Sequence, residues 1–174
     1  MTHNFELRYS ADMQIVVVLR LLVLLTVANG APVLAKDILQ NRFAYPIDAR
    51  VLFVDGRPLF GPSKTVRGIL LSALGTSISA PLLRLTWQSG LLLGIVAMAG
   101  DLLSSFSKRR LHVPSGGRAT GLDQIPESLF PLLACRTRFS LTVLDIAVTV
   151  GLFFIGEIVL SRLLFRLRLR DRPY

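Results

Sequence analysis

Apolar residues in this chain come in long runs separated by polar segments that contain glycine and proline. The runs read MQIVVVLRLLVLLTVANGAPVLA, GILLSALGTSISAPLLRLTW, GLLLGIVAMAGDLL and SLTVLDIAVTVGLFFIGEIVLSRLLF. A soluble helix would confine apolar positions to one stripe, and a half-buried strand would alternate them. Neither period dominates here. A hydrocarbon core of roughly 30 Å takes about 20 mostly apolar helical residues, and two of the runs reach that length with the others close behind. The pattern predicts an all-α, polytopic transmembrane helix bundle of about five spans, forming one integral membrane domain over 1–174.

The expected spans are 14–35, 66–85, 87–103, 125–138 and 139–165, with polar loops at 36–65 and 104–124. The fourth span is the shortest, because its apolar part, 125–135, is only about 16 Å of helix. It is completed by RTRF. The first run has small residues near its end, as a signal peptide would. Glu6 and Asp12 precede it and Arg20 interrupts it, so a retained helix is the better reading. Within the first loop, RVLFV has the composition of a short strand.

Charge then orients the bundle. The net charge is +9 at pH 7 in a chain that is 52% hydrophobic. In a membrane protein such an excess belongs to cytoplasmic loops facing anionic lipid rather than to nucleic acid. Lys36, Arg42, Arg50, Arg57 and Lys64 lie in the first loop, and Lys108, Arg109, Arg110 and Arg118 in the second. Two crossings separate these loops, so both are expected on the cytoplasmic side of the cell membrane, with the N-terminus outside. The basic tail SRLLFRLRLRDRPY is expected on the cytoplasmic side as well, and this favours five crossings. Cys135 is the single cysteine, so an intramolecular disulfide is excluded. His3 and His112 are too few for a histidine-built metal site.

Carboxylates at membrane depth are costly and normally have a partner or a task. Asp101, Ser104, Ser105 and Lys108 follow the spacing that stacks side chains along one helix face. An acid, a hydroxyl and a cation in that order suit a divalent metal and a phosphate. A simple ion pair at the helix end would use the same residues. Asp123 closes the second loop as Asp101 opens it, and Gly116, Gly117 and Gly121 between them fit either an anion nest or an ordinary flexible loop. Mg²⁺ matches carboxylates and substrate phosphates. Asp145 and Glu157, inside the last run, are expected to pair with arginines of the C-terminal half.

The segment VDGRPLFGPSKTVRG, 54–68, superficially resembles a phosphate-binding loop. Pro62 and Ser63 separate Gly61 from Lys64-Thr65, where such a loop needs the pair directly after glycine. The segment reads better as the approach to the second span, with Lys64 and Arg67 one turn apart at the membrane surface, both facing Asp101 and Asp123.

In order and spacing, VANGAPVLAKDI, YPIDARVLFVDGRPLFGPSKTVRG, AGDLLSSFSKRRL and TGLDQIPESL resemble the CDP-archaeol synthase family, within the wider group of CTP:phosphatidate cytidylyltransferases. The likeness runs from about 28 to 130 and is weak in the last forty residues. It implies an integral membrane enzyme that joins CTP to an anionic lipid phosphate, giving a CDP-lipid and pyrophosphate with Mg²⁺. On that basis Asp101 and Asp123 are expected as metal ligands, with Ser104 in support. Lys64, Arg67, Lys108 and Arg109 would contact phosphates. Asn29, Asp48, Asp55, Gly56 and Gln124 are motif positions expected at the substrates. Competing readings are the same reaction on diacyl phosphatidate, a non-catalytic lipid-binding protein, and a small transporter using Asp145 or Glu157. The sequence sets no oligomeric state.

Overall fold

A computed structural model describes residues 14–115, 117 and 119–166, with side chains through 163. Glu6, Asp12 and His3, Gly116 and Arg118 of the second loop, and the basic tail beyond 166 lie outside the described residues. Five helices follow in order: α1 Ile15–Leu39, α2 Val66–Leu82, α3 Trp87–Arg110, α4 Gln124–Ala134 and α5 Val143–Arg166. The all-helical bundle expected from the sequence is present. Ile15–Leu39, Trp87–Arg110 and Val143–Leu163 are long and apolar enough to cross a membrane, and Val66–Leu82 is a shorter apolar helix.

Helix limits differ from expectation at the polar ends. α1 continues to Leu39 rather than 35, and α3 runs through SSFSKRR to Arg110 rather than stopping at 103. Lys108, Arg109 and Arg110 occupy the last turn of α3, where cations are favoured by the exposed carbonyls of a helix C-terminus. α2 ends at Leu82 rather than 85. α4 is only 11 residues long and stops at Ala134, so RTRF lies in the turn over 135–140 and does not extend the helix to 138. RVLFV forms no strand; Leu52 makes a single antiparallel bridge with Pro58.

The bundle is sewn together by small residues. α2 packs on α1 and α3, and α3 packs on α4. A Cβ on Gly90 would stand 2.3 Å from the Thr76 carbonyl oxygen, and one on Gly94 2.2 Å from Thr76 Oγ1. The stretch GLLLG thus presents two glycines, four residues apart, to α2. Helices in lipid lack the hydrophobic drive of water and associate through such close backbone approach. Thr65 and Thr86 cap α2 and α3, their hydroxyls accepting from the Gly68 and Ser89 N–H groups. Leu21, Leu24, Leu25, Leu93, Ala97 and Leu132 form the centre of the core. The outward faces of α1 and α5 carry exposed Ile15, Leu19, Leu152, Ile155 and Val159, as a lipid-facing surface should.

Candidate active site

The two polar loops meet at one end of the bundle. Lys64, just before α2, reaches α3 and places Nζ 2.5 Å from both carboxylate oxygens of Asp101. Both side chains are about four-fifths buried, at 22% and 18% exposure. Ser104, one turn further along α3, is buried and donates its hydroxyl to the Gly100 carbonyl at 3.0 Å. Any contribution of Ser104 to a ligand is therefore through its lone pairs.

A second acid–cation pair lies about two turns further along α3. Asp123, at the N-cap of α4, accepts from the Ala119 N–H through Oδ2 at 3.1 Å. Its Oδ1 is buried and ion-paired with Lys108 Nζ at 2.6 Å. Lys108 also donates to the Gly117 carbonyl at 3.3 Å. Arg109, 6% exposed, donates to the Pro114 carbonyl at 2.9 Å, while its charge acts on Asp123. Gln124, also buried, accepts from the Gly121 N–H at 2.9 Å and shapes the turn between the second loop and α4. Gly121 has φ +90, a conformation that favours glycine.

The first loop is a folded cap, and the carboxylates within it are turned onto its own backbone. Asp48, 6% exposed, accepts from the N–H groups of Arg50 (3.0 Å), Phe60 (3.1 Å) and Gly61 (2.9 Å). Burial pushes its carboxyl up, yet these donors outweigh burial and hold it below the ordinary value of 3.8. Asp55 accepts from the Arg57 N–H at 3.1 Å and from Arg110, and Gly56, φ +72, supplies the turn beside it. The Ile47 N–H donates to the Lys64 carbonyl and the Val66 N–H to the Tyr45 carbonyl, so the base of the cap is laced directly to Lys64.

Other expected site residues are placed elsewhere. Arg67 donates to the Gln40 carbonyl at 3.1 Å and to the Arg42 carbonyl, tying the end of α1 to the start of α2; these contacts do not bring it to Asp101 or Asp123. Asn29 donates to the Leu25 carbonyl one turn back on α1. Asp145 is fully buried, and among the described residues no arginine pairs with it. It accepts from the Gln14 N–H and from the backbone and hydroxyl of Thr142. An acid at the start of a helix finds its donors there locally, which is why the expected ion pair is not needed.

Glu127 is the residue that sequence reasoning missed. It is 8% exposed, and its carboxyl meets that of Asp101, close enough to Lys64 and Glu157 for their charges to act on it. The cause lies one residue before Asp101: a Cβ on Gly100 would stand 2.3 Å from the Pro126 carbonyl oxygen and 3.0 Å from Glu127 Cα. Only glycine lets α4 cross α3 so closely. The spacing of Glu127 four residues after Asp123 was the available signal, since i and i+4 share a helix face.

Comparison with known proteins adds independent support. The family model described as CarS-like, CDP-archaeol synthase, matches residues 76–174. A CDP-archaeol synthase of Sulfurisphaera tokodaii is 34% identical over 154 residues, covering 85% of this chain and 89% of its own. One from Pyrobaculum islandicum is 37% identical over 161 residues, covering 85% and 92%. The chain belongs to the CDP-archaeol synthase family. A solved structure described as an intramembrane enzyme for archaeal membrane lipids biosynthesis superimposes with a TM-score of 0.71 at 27% identity, over 82% of this chain and 90% of that one. The family match runs to residue 174, beyond the likeness over 28–130.

Proposed function

We propose that this chain is a CTP-dependent cytidylyltransferase acting on a membrane lipid phosphate, yielding a CDP-lipid of the archaeol type and pyrophosphate. The observation that carries this reading is that two acid–lysine pairs, Lys64–Asp101 and Lys108–Asp123, line the loop-bearing half of α3 in a chain of the CDP-archaeol synthase family. A lipid phosphate oxygen attacks the α-phosphorus of CTP; the new P–O bond forms as the bond to the bridging oxygen breaks, and pyrophosphate leaves in line. Both reactants are anions, so the protein's main task is to hold them together and offset their repulsion. Lys64, Lys108 and Arg109 supply the cations for that task. A lipid substrate also fits their position toward the end of membrane helices, and the positive charge of the loops favours a cytoplasmic orientation for this end.

Mg²⁺ suits the donor set. Asp101 and Asp123 offer hard carboxylate oxygens, each now paired with a lysine, Lys64 and Lys108. Among the described residues no three His, Cys, Asp or Glu side chains converge as a metal cage. Mg²⁺ commonly uses one or two carboxylates and takes its remaining ligands from phosphates and water. When bound it would neutralise phosphate charge and stabilise the departing pyrophosphate.

Purified protein given labelled CTP, Mg²⁺ and either diacyl phosphatidate or the unsaturated ether-linked archaeal phosphate should form CDP-lipid, more of it from the ether lipid. No product from any lipid phosphate would reject the reaction. Equal or greater product from the diacyl lipid would reject the assigned acceptor alone.

A further inference from the structure

Three consecutive cations end α3, and they do different things. Lys108 and Arg109 act on Asp123 and the second loop, whereas Arg110 turns the other way, onto the first. Its Nη1 donates to Asp55 Oδ1 and its Nη2 to the Pro58 carbonyl, each at 2.8 Å. Its guanidinium carbon lies 4.6 Å from the ring centre of Phe53 and 5.0 Å from that of Phe106. The two rings meet edge to face at 5.5 Å. Arg110 therefore joins the tip of the first loop to α3 by two hydrogen bonds and the cation–π contact with Phe53, while Phe106, on α3 itself, backs the guanidinium from its own helix; only a planar, multidentate cation provides this arrangement.

The loop is stiff enough to carry that anchorage to the site. Phe53 donates its N–H to the Arg57 carbonyl, Asp48 holds the Phe60 and Gly61 N–H groups, and the Lys64 N–H donates to the Gly61 carbonyl. Gly61, φ +94, packs where a Cβ would meet Ser115 Oγ at 3.0 Å, so the loop also rests on the second one. From this geometry we infer that Arg110 is a positioning residue: it fastens residues 53–58 to the end of α3 and so fixes Lys64 against Asp101. The inference rests on Lys64 and Asp101 as site residues, and it assigns Arg110 no contact with either substrate.

Its test uses a cross-link that replaces the anchor. Ser63 and Ser115 bring their hydroxyl oxygens to 3.5 Å across the two loops, and S63C with S115C should close a disulfide there. Cys135 is fully buried and stays out of the reaction. In the full-length protein in lipid, R110A and R110K should both lose roughly 10- to 100-fold in kcat/KM, since a misplacement of about 1 Å costs on this order. Failure of R110K separates the planar fork from bare charge. In a K64A background, R110A should add less than about 2-fold, because both changes remove one interaction. Oxidised S63C/S115C should return R110A to within about 3-fold of the cross-linked parent, and reduction should abolish the rescue. Cross-link formation, followed by mass spectrometry, should be several-fold slower in R110A than in the Arg110 parent.

Multiplicative losses of R110A and K64A, or a formed cross-link that restores nothing, would overturn the inference. So would equal cross-linking rates with and without Arg110. The cross-linking rate needs no turnover. A parent inactive on every lipid phosphate would thus reject the reaction while the rate still decides whether Arg110 anchors the loop.

Discussion

Lys64 Nζ contacts both carboxylate oxygens of Asp101, although 37 residues separate the two in the chain. The pair joins the polar approach to α2 with the midsection of α3, and it lies four-fifths buried where those helices meet the loops. If these residues act as one unit, their losses will not add. D101A should lower kcat/KM by on the order of 10²-fold or more, the scale of losing one transition-state electrostatic contact. K64M should fall comparably, and the double variant should be no more than about 3-fold worse than the poorer single one. Initial rates with labelled CTP measure all three, and a fully multiplicative double loss would separate the two roles.

Asp123 offers a distinct handle on the metal. Removing divalent cations with a chelator should abolish product, and Mg²⁺ should restore it. D123A should raise the Mg²⁺ concentration for half-maximal rate by roughly 10-fold or more, because losing a ligand weakens the site. Mn²⁺ binding followed by electron paramagnetic resonance gives the same comparison without turnover. Unchanged Mn²⁺ affinity in D123A would remove Asp123 from the ligand set.

Asp48 makes the first loop sensitive to acid. Its folded value lies below the ordinary 3.8, so its stabilisation is fully present above about pH 4 and lost as pH falls through the lower folded value. Amide exchange at Phe60 and Gly61 should be strongly protected from pH 8 to 5, after correction for intrinsic rates, and lose protection below about pH 4. D48A should weaken the loop by about 1–3 kcal/mol, the cost of stranding buried N–H donors. Protection that survives in D48A would refute this role.

Gly100 sets the crossing of α3 and α4. G100A puts a methyl group into the Pro126 carbonyl at 2.3 Å, and relief requires backbone movement. A cost of about 1–3 kcal/mol or more is expected from overpacking, and Glu127 moves away from Asp101. Thermal unfolding in detergent should show a lowered midpoint, and activity should fall more than that midpoint explains. A variant with normal stability and normal rate would show that the close approach is dispensable.

Much of this molecule was legible in its apolar runs. A run of about 20 apolar residues has one economical fate in a bilayer, because every backbone N–H and C=O must be satisfied within the segment. The helical bundle and the placing of both polar loops on one side therefore followed from composition and spacing, as did Lys64 facing Asp101; the pairing of Asp123 with Lys108 did not. Local chemistry at helix ends was less visible. The spacing of Asp101, Ser104, Ser105 and Lys108 fits a helix face, but only the structure shows that the last turn presents three cations to different partners.

Tertiary structure alone decided which partner each polar group took. Asp48 and Asp55 are motif positions whose side chains face the loop's own backbone and Arg110, while Arg67 anchors α1 to α2. Glu127 reaches Asp101 only because Gly100 admits α4 at close range. Spacing places side chains on a helix face with a 3.6-residue period, so it identifies which residues on one helix travel together. The distance and angle at which two helices cross depend on small residues on both, and no local pattern reports them. The sequence by itself determined a membrane helix bundle with acids and cations at one end; the crossing of α3 with α4 and the folding of the first loop decided how those charges are joined.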